Sequence, residues 1–281
     1  MQHKGIDPAL RKGLPRSAKG LGLRVAYYPE LFQDWPAVDY FECLTENFLT
    51  AAGPVRERLR RVRSRYPVVL HGVALNLLGH EPLDEGYLDA VKRLADELEA
   101  PFVTDHLCWS ASGSVCHHDL LPVPFRRDLL SYGAERAAYV QKRLERPFGL
   151  ENLSSYVSFD SSEMTEWEFY CGVVREAGIF HMLDINNIFV SSVNHRFEPS
   201  EFLEAVDWSR VLQVHIAGHE QVAPDLIIDT HDRPVAAPVW SLYAEAWKRG
   251  GPFPTLLEWD ERIPPLRQAL AELEQVEQWR R

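Results

Sequence analysis

The chain has 281 residues, 46% hydrophobic and 25% charged, enough apolar material for a sizeable buried core and too much for a disordered segment. Its 41 acidic against 30 basic side chains give a formal net charge of −11, which excludes a broad phosphate-binding surface and leaves nucleic acid out of the expected partners. No apolar run approaches the ~20 residues of a membrane helix, and Cys43, Cys108, Cys116 and Cys171 lack CxxC spacing; no membrane association is expected, and the reducing cytoplasm is the expected location.

Residues 1–19 carry Lys4, Arg11, Lys12, Arg16 and Lys19 against Asp7 alone and have no apolar stretch of the secretory type, so they are read as a flexible basic N-terminal segment. Beyond it, short apolar, β-branched or aromatic runs predict strands at 21–24, 39–44, 68–73, 102–107, 148–153, 180–185, 211–216 and 255–259. Between them, apolar residues three or four apart predict amphipathic helices at 55–65, 83–98, 126–144, 163–177 and 238–249. A last helix follows Pro264-Pro265, with Leu266, Leu270, Leu273 and Val276 on one face. Strands alternating with helices make a parallel sheet, and eight such units in about 250 residues fit a TIM-type (β/α)8 barrel. Residues 20–281 are therefore expected to form one α/β domain.

Nearly every predicted strand ends in a residue able to bind a metal or a proton: Glu42 or Glu46, His71, Asp105-His106, Glu151-Asn152, Asp184 with Asn187, His215 and Glu258. In a barrel these ends meet at one mouth, and the spacing of about 30 to 45 residues is one β/α unit per ligand. The long connection from 218 to 238 adds Asp229 and His231, which an extended backbone points to the same side. Singly, each has a structural reading. His71 could be hydrogen-bonded, Glu151 or Glu258 could pair with an arginine, and Asp184 and Asn187 could cap the next helix. Together, Glu151, Asp184, Asp229 and Glu258 at one mouth would repel unless cations or protons neutralised them. The donors outnumber the ligands of one ion, so two or more metals are expected, and nitrogen and oxygen donors suit Fe, Mn or Zn. Phe48, Trp109, Tyr156, Phe189 and Trp259 are candidates either for a groove at the mouth or for packing above the barrel.

The stretches LHG (70–72), TDH (104–106), LEN (150–152), LDINN (183–187), NH (194–195), HIAGH (215–219), DTH (229–231) and EWD (258–260) occur in this order. From about residue 20 to the end, the chain resembles the multinuclear non-heme iron-dependent oxidases, a family that includes methanobactin-maturation oxidases. The resemblance implies two or three irons in a mixed-valent Fe(II)/Fe(III) state, O2 as co-substrate, and modification of a side chain, in the first place Cys, of a ribosomally made precursor peptide. It also implies a separate partner protein that recognises the leader peptide. Carried over by position, His71, His106 and Glu151 would hold one iron, Glu151, Asp184, His215 and Glu258 a second, and Asn187, Asp229 and His231 a third. Glu46, Asn47, Asp105, Asn152, His195 and His219 are expected around the ligands or the substrate, and His181, early in its strand, is expected to pack. Two other classes share the pattern: a barrel metal-dependent isomerase or phosphodiesterase, and a non-catalytic metal- or peptide-binding protein.

Overall fold

The computed structural model describes residues 13–113 and 115–280. Eight strands, β1 (Lys19–Gly22), β2 (Tyr40–Leu44), β3 (Val68–His71), β4 (Val103–His106), β5 (Phe148–Glu151), β6 (Phe180–Asp184), β7 (Val211–Ile216) and β8 (Thr255–Leu257), close into a barrel in which each pairs in parallel with its neighbours. The expected (β/α)8 barrel is the fold, with its strands somewhat shorter than the apolar runs that announce them.

Helices Gly53–Arg63, Glu85–Glu97, Arg127–Leu144, Glu166–Ala177, Ala237–Gly250 and Leu266–Leu273 occupy the stretches with helical spacing. Two of the starts are set by side-chain caps rather than by the first apolar residue. Asp84 accepts from the Tyr87 amide, and Thr165 forms a reciprocal capping box with Glu168, so residues 83 and 163–164 stay outside. Tyr28–Asp34, the short Glu46–Leu49, Ile185–His195 directly after β6, and Pro199–Ala205 are helices outside the predicted set. Two antiparallel hairpins, Trp109–Ser112 with Val115–Leu121 and Glu220–Ala223 with Leu226–Ile228, extend the connections after β4 and β7.

Side chains alternate along each strand, so one set packs outward under the helices and the other fills the barrel. At the lower end, Leu14, Ala18, Tyr40, Val69, Phe102, Leu212 and Leu256 form a separate buried cluster. Gly20 leaves room there: a Cβ on it would fall on the Tyr40 ring. The basic N-terminal segment is thus partly structural, with Leu14 and Ala18 buried and Lys19 already in β1; its residues 1–12 lie outside those described. Among the described residues no helix is long and apolar enough to cross a membrane.

Candidate metal centre

With polar residues at the upper ends of the strands, the alternation that fills the barrel below also aims His71, His106, Glu151, Asp184 and His215 inward at one level, with Glu258 just past β8. They and their neighbours form four overlapping triads whose ligand atoms lie within 4.8 Å of one another: His71–His106–Glu151, Glu42–His215–Glu258, Glu151–Asp184–His215 and Asp184–His231–Glu258. All are buried.

In the first triad, Glu151 Oε2 lies 3.2 Å from His71 Nε2 and 3.0 Å from His106 Nε2, yet none of these contacts has hydrogen-bond geometry. The opposite ring nitrogens are fixed: His71 Nδ1 is 2.8 Å from Thr104 Oγ1, and His106 Nδ1 donates to the Gly72 carbonyl at 3.0 Å. Backbone carbonyls only accept, so His106 Nδ1 carries a proton and Nε2 is the ring nitrogen turned to Glu151. Glu151 Oε1 accepts from Asn187 Nδ2 at 3.1 Å.

Asp184 Oδ1 caps the next helix by accepting from the Asn187 amide at 2.7 Å, while its Oδ2 has no partner. Asn152 clamps that strand end, accepting from the Asp184 amide and donating to the Asp184 carbonyl, both at 3.0 Å. Asp229 Oδ1 stands 2.7 Å from His231 Nε2 and accepts from Asn186 Nδ2 at 2.7 Å, and Ser154 donates to Oδ2 at 3.1 Å. His231 Nδ1 is 2.9 Å from Asp260 Oδ2 and 3.5 Å from Glu258 Oε2. Arg24 bridges Asp260 and Glu258, the latter at 3.4 Å. Every residue expected to bind metal therefore lies at one mouth.

Of the surrounding residues, Asn47 lines the mouth cavity, His219 Nδ1 contacts Asn186 Oδ1 at 2.7 Å, and His195 Nε2 contacts Ser155 Oγ at 2.8 Å. Glu46 and Asp105 face away from the ligands. Glu46 Oε1 accepts from the Val73 and Ala74 amides at 3.0 Å and from Tyr87 at 2.6 Å, and Asp105 Oδ2 lies 3.4 Å from the same hydroxyl. His181 packs on Tyr170 with ring centroids 5.1 Å apart, and burial pulls it down to about 3. Glu42, an alternative to Glu46 at this strand end, is the one that enters the ligand cluster. Phe48 and Trp259 are core residues, whereas Tyr156 is exposed at the cavity wall.

Protonation follows the crowding. Burial, then the Glu151 charge, pushes Asp184 up to about 8. Burial alone would lower His106, but Glu151 outweighs it and raises His106 to about 9. Against the same burial penalty, Glu42 and Glu258 hold His215, and Asp229 holds His231, well above the ordinary imidazole value. His71, beside His106 and His215, is held well below it by burial first and those charges second. Protons thus stand where a set of cations would otherwise balance the carboxylates. Glu151 Oε2, Asp184 Oδ2, Asn187 Oδ1 and His231 Nε2 are buried without hydrogen bonds, and oxygen and imidazole donors left this way fit divalent metal ions. The centre floors a cavity of about 720 Å³, walled by Leu121, Pro122, Tyr156, Val157 and Thr230.

A family model described as RiPP precursor modification enzyme MbnB/TglH/ChrH matches residues 18–281. The chain belongs to that family. Relatives named UPF0276 protein extend the family match: one from Rhizorhabdus wittichii is 44% identical over 264 residues, covering 93% of this chain and 94% of its own. Another, from Caulobacter vibrioides, is 44% identical over 261 residues, covering 92% and 93%. Among solved structures, D-psicose 3-epimerase from Clostridium cellulolyticum has a TM-score of 0.62 over 94% of this chain and 99% of its own at 12% identity. Endonuclease IV from Thermus thermophilus has a TM-score of 0.58 over 93% and 98% at 17% identity. These likenesses establish the barrel; the RiPP family supplies a precursor peptide as the substrate class.

Proposed function

We propose that the chain is a multinuclear non-heme iron-dependent oxidase that uses O2 to modify a side chain, in the first place a cysteine, of its precursor peptide. The observation that carries this reading is the convergence of Glu151 Oε2, Asp184 Oδ2, Asn187 Oδ1 and His231 Nε2, all buried without a hydrogen bond, under an open cavity. His71, His106 and Glu151 would hold one ion, Glu151, Asp184, His215 and Glu258 a second, and Asn187, Asp229 and His231 a third. Oxygen and nitrogen donors suit iron, manganese or zinc, and the resemblance carried by the ordered motifs from LHG to EWD implies iron. Iron, when bound, supplies the redox chemistry for O2 and a Lewis-acidic place for the peptide thiolate.

The chain's own residues do the rest. Thr104 and the Gly72 carbonyl hold the imidazoles of His71 and His106, and Asn152 holds the Asp184 strand end. Leu121, Tyr156 and Val157 present an apolar wall against which a peptide can exclude water from the reacting side chain. Recognition of the leader by a separate partner protein, and a cytoplasmic location, belong to the same proposal.

The test is anaerobic iron loading followed by O2 uptake and mass spectrometry of the peptide from the neighbouring reading frame. O2 consumption coupled to a mass change at one residue is the expected result. A zinc-loaded protein that turns over sugar or phosphodiester without O2 would move the chain to the isomerase or phosphodiesterase class. Glu151→Gln should lower bound iron and reduce turnover by at least about 100-fold while the circular dichroism spectrum stays that of the wild type.

A further inference from the structure

Resting on the metal-centre reading above, we propose that Glu42 is a positioning residue that holds His215 in one tautomer and makes Nδ1, not Nε2, the metal-binding nitrogen of that ring. Glu42 lies inside β2, buried, with Oε1 3.1 Å and Oε2 3.2 Å from His215 Nε2. The same carboxylate accepts from Gln213 Nε2, and Gln213 Oε1 in turn accepts from the Tyr40 hydroxyl at 3.2 Å. Tyr40 and Gln213 therefore orient a carboxylate whose free lone pairs face one ring nitrogen.

The two sides of the ring face different partners. Gln213 Nε2, 3.0 Å from His215 Nε2, gives a hydrogen to Glu42, so the acceptors that face His215 Nε2 are the two Glu42 oxygens. His215 Nδ1 points the other way, 3.1 Å from Glu258 Oε2, a carboxylate assigned to the same ion in the reading above. His71 and His106 have the reverse arrangement, with Nδ1 tied to Thr104 Oγ1 and the Gly72 carbonyl and Nε2 toward Glu151. A carboxylate behind a metal-binding imidazole fixes its orientation and raises its donor strength.

The test uses zinc(II) as a diamagnetic probe on the full chain labelled with 15N-histidine, so it is independent of iron, O2 and peptide. Long-range 1H–15N correlations should show His215, assigned by the signal missing in His215→Asn, protonated at Nε2 and shifted at Nδ1. The Glu42→Gln variant should keep the zinc stoichiometry but lose about 10- to 100-fold in affinity for one ion, with Glu42→Asp recovering part of it. A wild-type His215 protonated at Nδ1, or a full ion lost per chain in Glu42→Gln with no change in the remaining affinities, would overturn the proposal, the latter by making Glu42 a direct ligand. Wild-type protein that takes up no zinc would overturn it together with the metal centre. Zinc bound in the expected tautomer without any oxidase activity would sink only the oxidase reading.

Discussion

Gly72 shows how one atom of backbone governs the proposed metal site. Its carbonyl accepts from His106 Nδ1 at 3.0 Å, and a Cβ on it would fall on Asp105 Oδ2 and 2.9 Å from the Tyr87 hydroxyl. Gly72→Ala should force Asp105 aside and tilt that carbonyl. We expect about 1–3 kcal/mol of destabilisation from the overpacking and a roughly 10- to 100-fold loss of affinity at the His71–His106–Glu151 site, read by denaturant unfolding and zinc titration calorimetry. The residues at issue are legible in the sequence to different degrees. His71, His106, Glu151, Asp184, His215 and Glu258 stand out because strand ends of a parallel barrel must meet. Glu42 and Glu46 cannot be separated that way, since both sit near the end of one apolar run. Phase separates them: Glu42 shares the inward parity of Tyr40 and Leu44, whereas Glu46 lies past the strand and turns to Tyr87.

At the scale of elements, the third group of donors depends on a docked hairpin. Asn194, near the end of helix Ile185–His195, accepts from the Ile227 amide at 2.9 Å and donates to the Ile227 carbonyl at 3.0 Å, two residues before Asp229. Asn194→Ala should free the strand Leu226–Ile228 and remove the ion proposed for Asn187, Asp229 and His231 while leaving the others; metal analysis should show one ion fewer per chain, with only a small fall in melting temperature. That helix is not legible in the sequence because its Asn, Ser, Val and Ile residues have weak helical preference. It forms because Asp184 caps it and because its apolar face is buried. The hairpins are hidden for a related reason: their strands are short and partly exposed, with no sustained alternation to mark them.

For the molecule as a whole, metal uptake and pH are linked with a definite sign. Asp184 and His106 have folded-state values raised to about 8 and about 9, from 3.8 and 6.5. The folded metal-free chain therefore binds more protons than the unfolded chain between those values and loses stability as pH rises through them, by up to about 1.4 kcal/mol per pH unit for each group. Bound cations would take the place of those protons and remove the loss. The gap in melting temperature between metal-loaded and chelator-treated protein should widen from pH 6.5 to pH 9; a gap that narrows would contradict the assignment, and calorimetry at the two pH values distinguishes them. The barrel itself is legible almost throughout, because eight runs with helical spacing between them leave few other ways to bury so much apolar surface. The donors come from strand ends spread from His71 to Glu258, and the strand Thr255–Leu257 closes the ring. A nascent chain or proteolytic fragment lacking that last strand would hold most of the ligands yet have no place where they meet. Metal occupancy would then report, in a single signal, that synthesis has reached the final strand and that folding is finished.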